Sequence, residues 1–285
     1  MLPSIPESSL VTHAAHAAIR AASSAGVRIA DEHEMDQLRN ITDLLIGVWG
    51  TSQHGAPIPA DLLRSFSHAG SNVTAAYDAS GSVCGAAVGI VTPDASIYSL
   101  IAGVRPGLAD RGVGFALKQH QRAWALARGI ETMVWTFDPL VSRNARFNLT
   151  KLGAHSEEYI ENFYGVMDDE INANDESDRL VAVWPLSGER ALAGSDGRSE
   201  PVEMPSFTSA EVREIGPDDR PILVEADGVL WCRVPTDIVS LRSANSAEAT
   251  AWRTAIRCIF TDAFEAGYRA LGVTRTGWYR LNKEG

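Results

Sequence analysis

Val104 to Gly129, VRPGLADRGVGFALKQHQRAWALARG, carries the most structural information in the chain. The run before it, SIYSLIAGV, is β-type, and Pro106 stops that strand because proline brings no N–H to a ladder. Gly107, Gly112 and Gly114 permit tight turns, and Gly114 to Arg128 has the spacing of a helix that Gly129 closes. A loop leading from strand to helix gathers backbone N–H groups and the positive end of a helix dipole at one place. Such a place suits a pyrophosphate. It equally suits an ordinary strand-loop-helix connection, so the loop alone leaves both readings open.

Upstream lie three β-type runs in close succession, SNVTAAYD, VCGAAVGIV and SIYSLIAGV, with ASGS as a tight turn between the first two. VRIA reads as a strand, and two helices, DEHEMDQLRNITDLLIGVWG and PIPADLLRSFSHAG, follow it. The first helix has an acidic first turn, Leu38, Ile41, Leu44, Leu45 and Val48 at helical spacing, and Gly50 as its stop. Downstream come the strand ETMVWTFD, ended by Pro139, the helix SRNARFNLTKLG closing at Gly153, the strand-like AHSEEYIENFYG, and the strand RLVAVWPL. This order predicts an alternating α/β plan with an antiparallel meander in its first half, and it is not a Rossmann order.

Several stretches carry a family likeness: V-x-P followed by R-G-x-G-x-A after a meander, Y98-S-L-I-A-G-V104, W135-T-F-D-P-L-V-S-R-N-A-R-F-N-L-T-K-L-G153, N162-F-Y-G165 and S177-D-R-L-V-A-V-W184. From about Val27 to Leu186 the chain resembles the GNAT N-acyltransferases. Within them it resembles a bacterial subfamily of predicted acetyltransferases that includes D-amino-acid N-succinyltransferases. The resemblance implies a GNAT fold, a mixed and mostly antiparallel sheet flanked by helices, in which the strands carrying Tyr98–Val104 and Thr132–Asp138 splay apart. Acyl-CoA is the implied donor, its pantetheine lying in the splay. Val104, Asp110, Arg111, Gly112, Val113, Gly114, Phe115 and Ala116 are the implied donor contacts, with Asn144 and Phe147 on the pantetheine arm. An N–H near Leu100 and Ile101 is expected to polarise the thioester carbonyl. Tyr164 is the expected acid for the thiolate, with Tyr159 in reserve, and Asp138 is expected to accept or orient the amine proton. Tyr98, Arg143, Asp178 and Arg179 are expected on the acceptor side, since arginine grips carboxylates bidentately. Plainer readings also stand: Tyr164 packed in a sheet, Asn144 helping Ser142 cap a helix, Asp138 in an Asp-Pro turn, and the charged residues in surface ion pairs.

The loop departs from the family pattern in one respect. Counted from V-x-P, the leading basic position falls on Ala109 with Asp110 next to it, whereas a frame starting at Arg111 restores R-x-x-G-x-A. A missing phosphate-facing cation would cost about 1.5 to 3 kcal/mol per lost charge-assisted hydrogen bond. Either CoA binds more weakly than usual, or the acyl group arrives on the phosphopantetheine of an acyl carrier protein.

At 285 residues the chain suits one large domain or a domain with an appendage. A formal charge of −11 disfavours nucleic acid and anionic membranes, both of which need a basic face. Cys84, Cys232 and Cys258 lie far apart without a CxxC pair, and His13 and His16 lack a third ligand or an HExxH pattern, so neither disulfides nor a metal are expected. The opening MLPSIPESSLVTHAAHAAIRAA has no basic n-region or long apolar run, which leads us to expect a cytoplasmic, unanchored protein. The expected division is an N-terminal extension over 1–26 with a short helix from Val11 to Ala22, a GNAT core over 27–186, a linker over 187–216, and an α+β lobe over 217–285. In that lobe PILVEAD and GVLWCRVP form a hairpin, Ala247 to Ala266 a helix and WYRLNK a strand. About 70 residues are marginal alone, so the lobe should pack on the core or on the partner of a homodimer. The function expected is acyl transfer from a thioester to a small-molecule amine by direct attack. A carrier-protein donor, or a non-catalytic acyl-CoA-binding module, is the alternative.

Overall fold

The computed structural model describes residues 7–50, 55–108, 110–165 and 175–283. They fall into two units, Met1–Val134 with Pro185–Gly188, and Trp135–Trp184 with Glu189–Gly285.

The first unit holds α1 (Glu7–Ala25), β1 (Arg28–Asp31), α2 (Met35–Trp49), α3 (Ala60–His68), β2 (Asn72–Tyr77), β3 (Val83–Val91), β4 (Ile97–Val104), α4 (Val113–Leu126) and the start of β5 (Thr132–Phe137). Its strands run in the order β1-β2-β3-β4-β5, antiparallel except for the parallel β4–β5 pair. β2 and β3 are buried almost throughout because helices cover both of their faces. Leu38, Ile41 and Leu45 of α2 and Leu63 of α3 pack with Val73, Ala75, Ala86 and Val88. The alternate residues Ala76, Cys84 and Ala87 meet Val113 and Leu117 of α4. Each fully buried Leu or Ile contributes about 1.5 to 3 kcal/mol. Close approach demands small residues, and a Cβ on Gly85 would stand 2.9 Å from Val113 Cγ1.

The N-terminal helix is longer than its sequence pattern predicts. α1 spans nineteen residues and lies against α4, burying Leu10, Ala14, Ala17, Ala18 and Ala21. Alanine carries little apolar periodicity, so the signal is weak although the contact is close.

The second unit holds α5 (Ser142–Ala145), β6 (Tyr159–Ile160), β7 (Arg179–Pro185), α6 (Glu189–Ser195), β8 (Val212–Ile215), β9 (Pro221–Ala226), β10 (Val229–Arg233), α7 (Ile238–Ala244), α8 (Ser246–Glu265), β11 (Tyr268–Val273) and β12 (Trp278–Lys283). α5 runs into a wider π-type turn over Arg146–Lys151, where an ordinary helix is predicted. Among the described residues, the strand-like stretch from Ala154 pairs at Tyr159↔Leu180 and Ile160↔Arg179 and at the bridges His155↔Val183 and Ser156↔Ala270. Polar Glu157, Glu158 and Glu161, and Asn162 at φ 43°, break it up. The stretch read as linker carries α6 and β8.

Five strands form a second, antiparallel sheet in the order β11-β12-β10-β9-β8. α8 buries Trp252, Ile256, Ile259 and Phe260, and the Phe260 ring lies 5.0 Å from that of Tyr279 on β12. The C-terminal residues share this unit with residues 135–184. Tyr279 Oη donates to the Pro139 carbonyl at 2.6 Å, and Val273 N donates to Thr150 Oγ1 at 2.8 Å. A Cβ on Gly194 would stand 2.6 Å from the Lys151 oxygen. The fold is α/β, a mostly antiparallel arrangement of strands flanked by helices, with the second sheet forming a C-terminal lobe. Among the described residues no helix is long and apolar enough to cross a membrane.

Candidate functional site

In the first unit the predicted donor residues lie at the end of β4 and in the loop and first turn of α4 that follow it. β4 and β5 pair in parallel at Ile97↔Met133 and Tyr98↔Val134. Ser99 to Val104 run along β3. There the register steps from Val88↔Ile101 to Gly89↔Ser99, so Leu100 has no opposite residue and forms a β-bulge. The Leu100 and Ile101 side chains pack against the α2 core cluster. Val104 packs beside Val113 and Leu117.

Arg105 anchors the loop that follows. Its N–H donates to the Cys84 carbonyl at 2.9 Å, and its guanidinium reaches Asp78 Oδ2 at 3.1 Å. Gly107, Asp110 and Gly112 all adopt positive φ, 83°, 68° and 86°. Gly112 caps α4, and Ala116 N closes the first helical bond onto its carbonyl at 2.9 Å. Val113, Gly114 and Phe115 therefore open the helix where a dipole favours an anion. Arg111 is exposed beside them. Ala109 lies outside the described residues.

A buried polar chain runs from α4 to β1. Lys118 of α4, 4% exposed, donates to Ser99 Oγ at 2.8 Å and lies 3.8 Å from Met133 Sδ. Burial pushes its ammonium pKa down to about 7. Ser99 Oγ donates to Gln121 Oε1 at 3.3 Å, Gln121 Nε2 to Asn72 Oδ1 at 3.2 Å, and Asn72 Nδ2 to Asp31 Oδ1 at 3.0 Å. His120 Nε2 also meets Asp31 Oδ1 at 2.9 Å. Burial raises the Asp31 carboxyl pKa, but His120, Thr74 and Asn72 together hold it below the ordinary value.

The remaining predicted residues lie in the second unit. Tyr164 is 51% exposed, its Oη 3.4 Å from Thr136 Oγ1 and its ring 5.2 Å from the Arg179 guanidinium carbon. Tyr159, the reserve acid, donates to Asp178 Oδ2 at 2.6 Å and stacks on Phe260. Burial, reinforced by Asp178, raises its pKa. Asp138 Oδ1 accepts from Leu140 N at 2.8 Å in an Asp-Pro turn, and Oδ2 pairs with Arg242 Nη1 at 2.9 Å. Asn144 is exposed and takes an Asn148 Nδ2 contact at 3.4 Å, while the half-buried Phe147 ring has the Lys151 ammonium 6.0 Å away. Arg143 is exposed.

Asp178, predicted on the acceptor side, is 3% exposed and already fully engaged. It accepts from Arg257 at 2.9 and 2.7 Å, from Asn162 N at 3.0 Å and from Tyr159 Oη. Burial raises its pKa, yet these donors hold it below the ordinary value. Arg179 is buried and donates to the Asp178 carbonyl at 2.8 Å.

Sequence reading missed three arginines. Arg242 pairs with Asp138 and Asp175, Arg253 with Asp175 and Glu176, and Arg257 with Glu161, Glu176 and Asp178. One signal for them existed: the acidic run Asp175, Glu176 and Asp178 needs cations, and Arg253 and Arg257 share a helix face four residues apart. Among the described residues no group of His, Cys, Asp and Glu is arranged to hold a metal ion.

No protein-family model and no curated protein matches the chain. Among solved structures it is similar to the ribosomal-protein-S18-alanine N-acetyltransferase from Escherichia coli, at 18% identity and TM-score 0.46 over 57% of this chain and 97% of that one. It is similar to an N-acetyltransferase from Staphylococcus aureus Mu50, at 17% identity and TM-score 0.46 over 56% of this chain and 98% of that one. It is also similar to a GNAT superfamily phosphinothricin acetyltransferase from Sinorhizobium meliloti in complex with AcCoA, at 17% identity and TM-score 0.46 over 56% of this chain and 88% of that one.

Proposed function

We propose that the chain is a GNAT-type N-acyltransferase that moves an acyl group from acyl-CoA to the amine of a small molecule. The observation that carries this reading lies in the first unit, where β4 bulges at Leu100 and leads through a glycine loop into α4. A bulge can turn an N–H toward the thioester carbonyl of an extended pantetheine laid along the strand. Val104 and Asp110 to Ala116 then face the pyrophosphate, and Asn144 and Phe147 the pantetheine arm. The amine nitrogen attacks the thioester carbon, the C–S bond breaks, and the thiolate takes a proton from Tyr164. The amine nitrogen gives up one proton to water, a proton returns from solvent to the Tyr164 phenolate, and the products are an amide and a thiol. Asp138, paired with Arg242, serves to orient the ammonium or its water. Tyr98 and Arg143 face the acceptor.

Asp110 favours a second donor. Its carboxylate stands in the loop where a pyrophosphate would lie, and phosphopantetheine on an acyl carrier protein brings no pyrophosphate there. The narrower D-amino-acid N-succinyltransferase class, natural-product biosynthesis, a homodimer and a cytoplasmic location belong to the same reading, as does the division into a 27–186 core and a 217–285 lobe. Mass spectrometry with pools of acyl-CoA, acyl-carrier donors and candidate amines tests it. An amide formed from either donor supports acyl transfer and identifies the donor; binding without transfer returns the chain to an acyl-CoA-binding module.

A further inference from the structure

We infer that Arg257, on α8 of the C-terminal lobe, is a positioning residue that fixes Tyr164 through Asp178 and Ser177; this rests on the acid role proposed for Tyr164. The Tyr164 side chain is half exposed, so packing does little to place it. Its backbone is held instead. Tyr164 N donates to Ser177 Oγ at 2.7 Å, and that hydroxyl donates to the Gly165 carbonyl at 2.7 Å. Phe163 N donates to the Ser177 carbonyl at 3.0 Å, and Ser177 N to Asn162 Oδ1 at 3.3 Å. Asn162 sits at φ 43°, in the left-handed region, and its own N–H is taken by Asp178 Oδ1 at 3.0 Å.

The turn from Asn162 to Gly165 is therefore hung on Ser177 and Asp178. Asp178 is a buried carboxylate, and removing the partner of such a charge is strongly destabilising. Arg257 is that partner: Nε reaches Oδ2 at 2.9 Å and Nη2 reaches Oδ1 at 2.7 Å, a bidentate grip that fixes the carboxylate plane. The same guanidinium pairs with Glu176 at 2.6 Å and with Glu161 at 3.0 Å, on both sides of the turn. An acid displaced by about an ångström loses much of its effect on the reacting sulfur.

A double-mutant cycle on the full chain tests the coupling. Turnover and donor KM are measured for the parent, Arg257→Met, Tyr164→Phe and the double variant with whichever thioester donor and amine support transfer. Arg257→Met should lower kcat about tenfold with donor KM within about twofold, and should change kcat less than about twofold in the Tyr164→Phe background. Arg257→Lys should recover part of the loss. Equal fold-losses in both backgrounds, or no loss in the parent, overturn the inference. Tyr164→Phe at parental turnover overturns the acid reading itself, and with it the role of Arg257. If Arg257→Met does not fold, Ser177→Ala, which removes only the hydroxyl linking Tyr164 N to Gly165, is taken through the same cycle. The same non-additivity is then expected, and additive losses overturn the inference.

Discussion

A general acid acts only as the leaving group departs, so its removal should show in turnover and leave binding alone. Tyr164→Phe is expected to lower kcat about 10²-fold with donor affinity nearly unchanged, by steady-state kinetics and calorimetric titration. Tyr159 is the contrasting residue, since its hydroxyl is committed to Asp178 at 2.6 Å. Tyr159→Phe should cost about 1.5 to 3 kcal/mol in urea unfolding and little turnover. Lys118 gives a pH signature. Its folded pKa of about 7 lies below the ordinary lysine value of 10.5, so between those values the unfolded chain holds a proton that the folded chain lacks. Its contribution to stability therefore rises with pH across that window and is least favourable below pH 7. Lys118→Met should flatten the rise in denaturant midpoint between pH 7 and 10; an unchanged pH dependence would place the charge elsewhere. The role proposed for Tyr164 comes from its NFYG context through family resemblance. The pairing of Arg257 with Asp178 was not legible, because the partners are 79 positions apart and only folding brings them together.

The elements β4 and α4, which flank the proposed donor loop, were legible because their signals are local. Pro106 and the glycines mark the loop, and the helix after it is long enough for periodicity to speak. Elements that owe their form to distant contacts were not legible. α6 and α7 have seven residues each, too few for helical periodicity to mark, and β11 is interrupted by a register shift between Ala270 and Gly272. The β4 bulge is similarly silent in sequence, since it depends on the register against β3. Asp110 is the testable residue of the loop element. At φ 68° it sits where glycine is at ease, and its carboxylate opposes an anionic ligand. Asp110→Gly should tighten CoA binding several-fold by calorimetry while leaving turnover at saturating donor nearly unchanged. Unaltered affinity would remove Asp110 from the donor site and with it the argument for a carrier protein.

Across the molecule, the C-terminal lobe is bound to the residues that follow β5 by charge as well as by apolar area. Arg242, 2% exposed, and Arg253 and Arg257 compensate Asp138, Asp175, Glu176 and Asp178. Each buried carboxylate stripped of its partner costs about 3 to 5 kcal/mol, comparable to a large share of a domain's stability. Truncation near residue 190 should therefore produce aggregation in light scattering and loss of cooperative unfolding. A soluble, active fragment would make the lobe an independent appendage. The central claim is direct transfer from a thioester to an amine, and the most direct measurement follows both products at once. Mass spectrometry of the amine and a thiol assay of the donor should give one amide per thiol released, with no acyl adduct on the protein. Thiol release without amide, an acylated protein that forms before the amide, or no turnover with any acyl-CoA or carrier donor would contradict it.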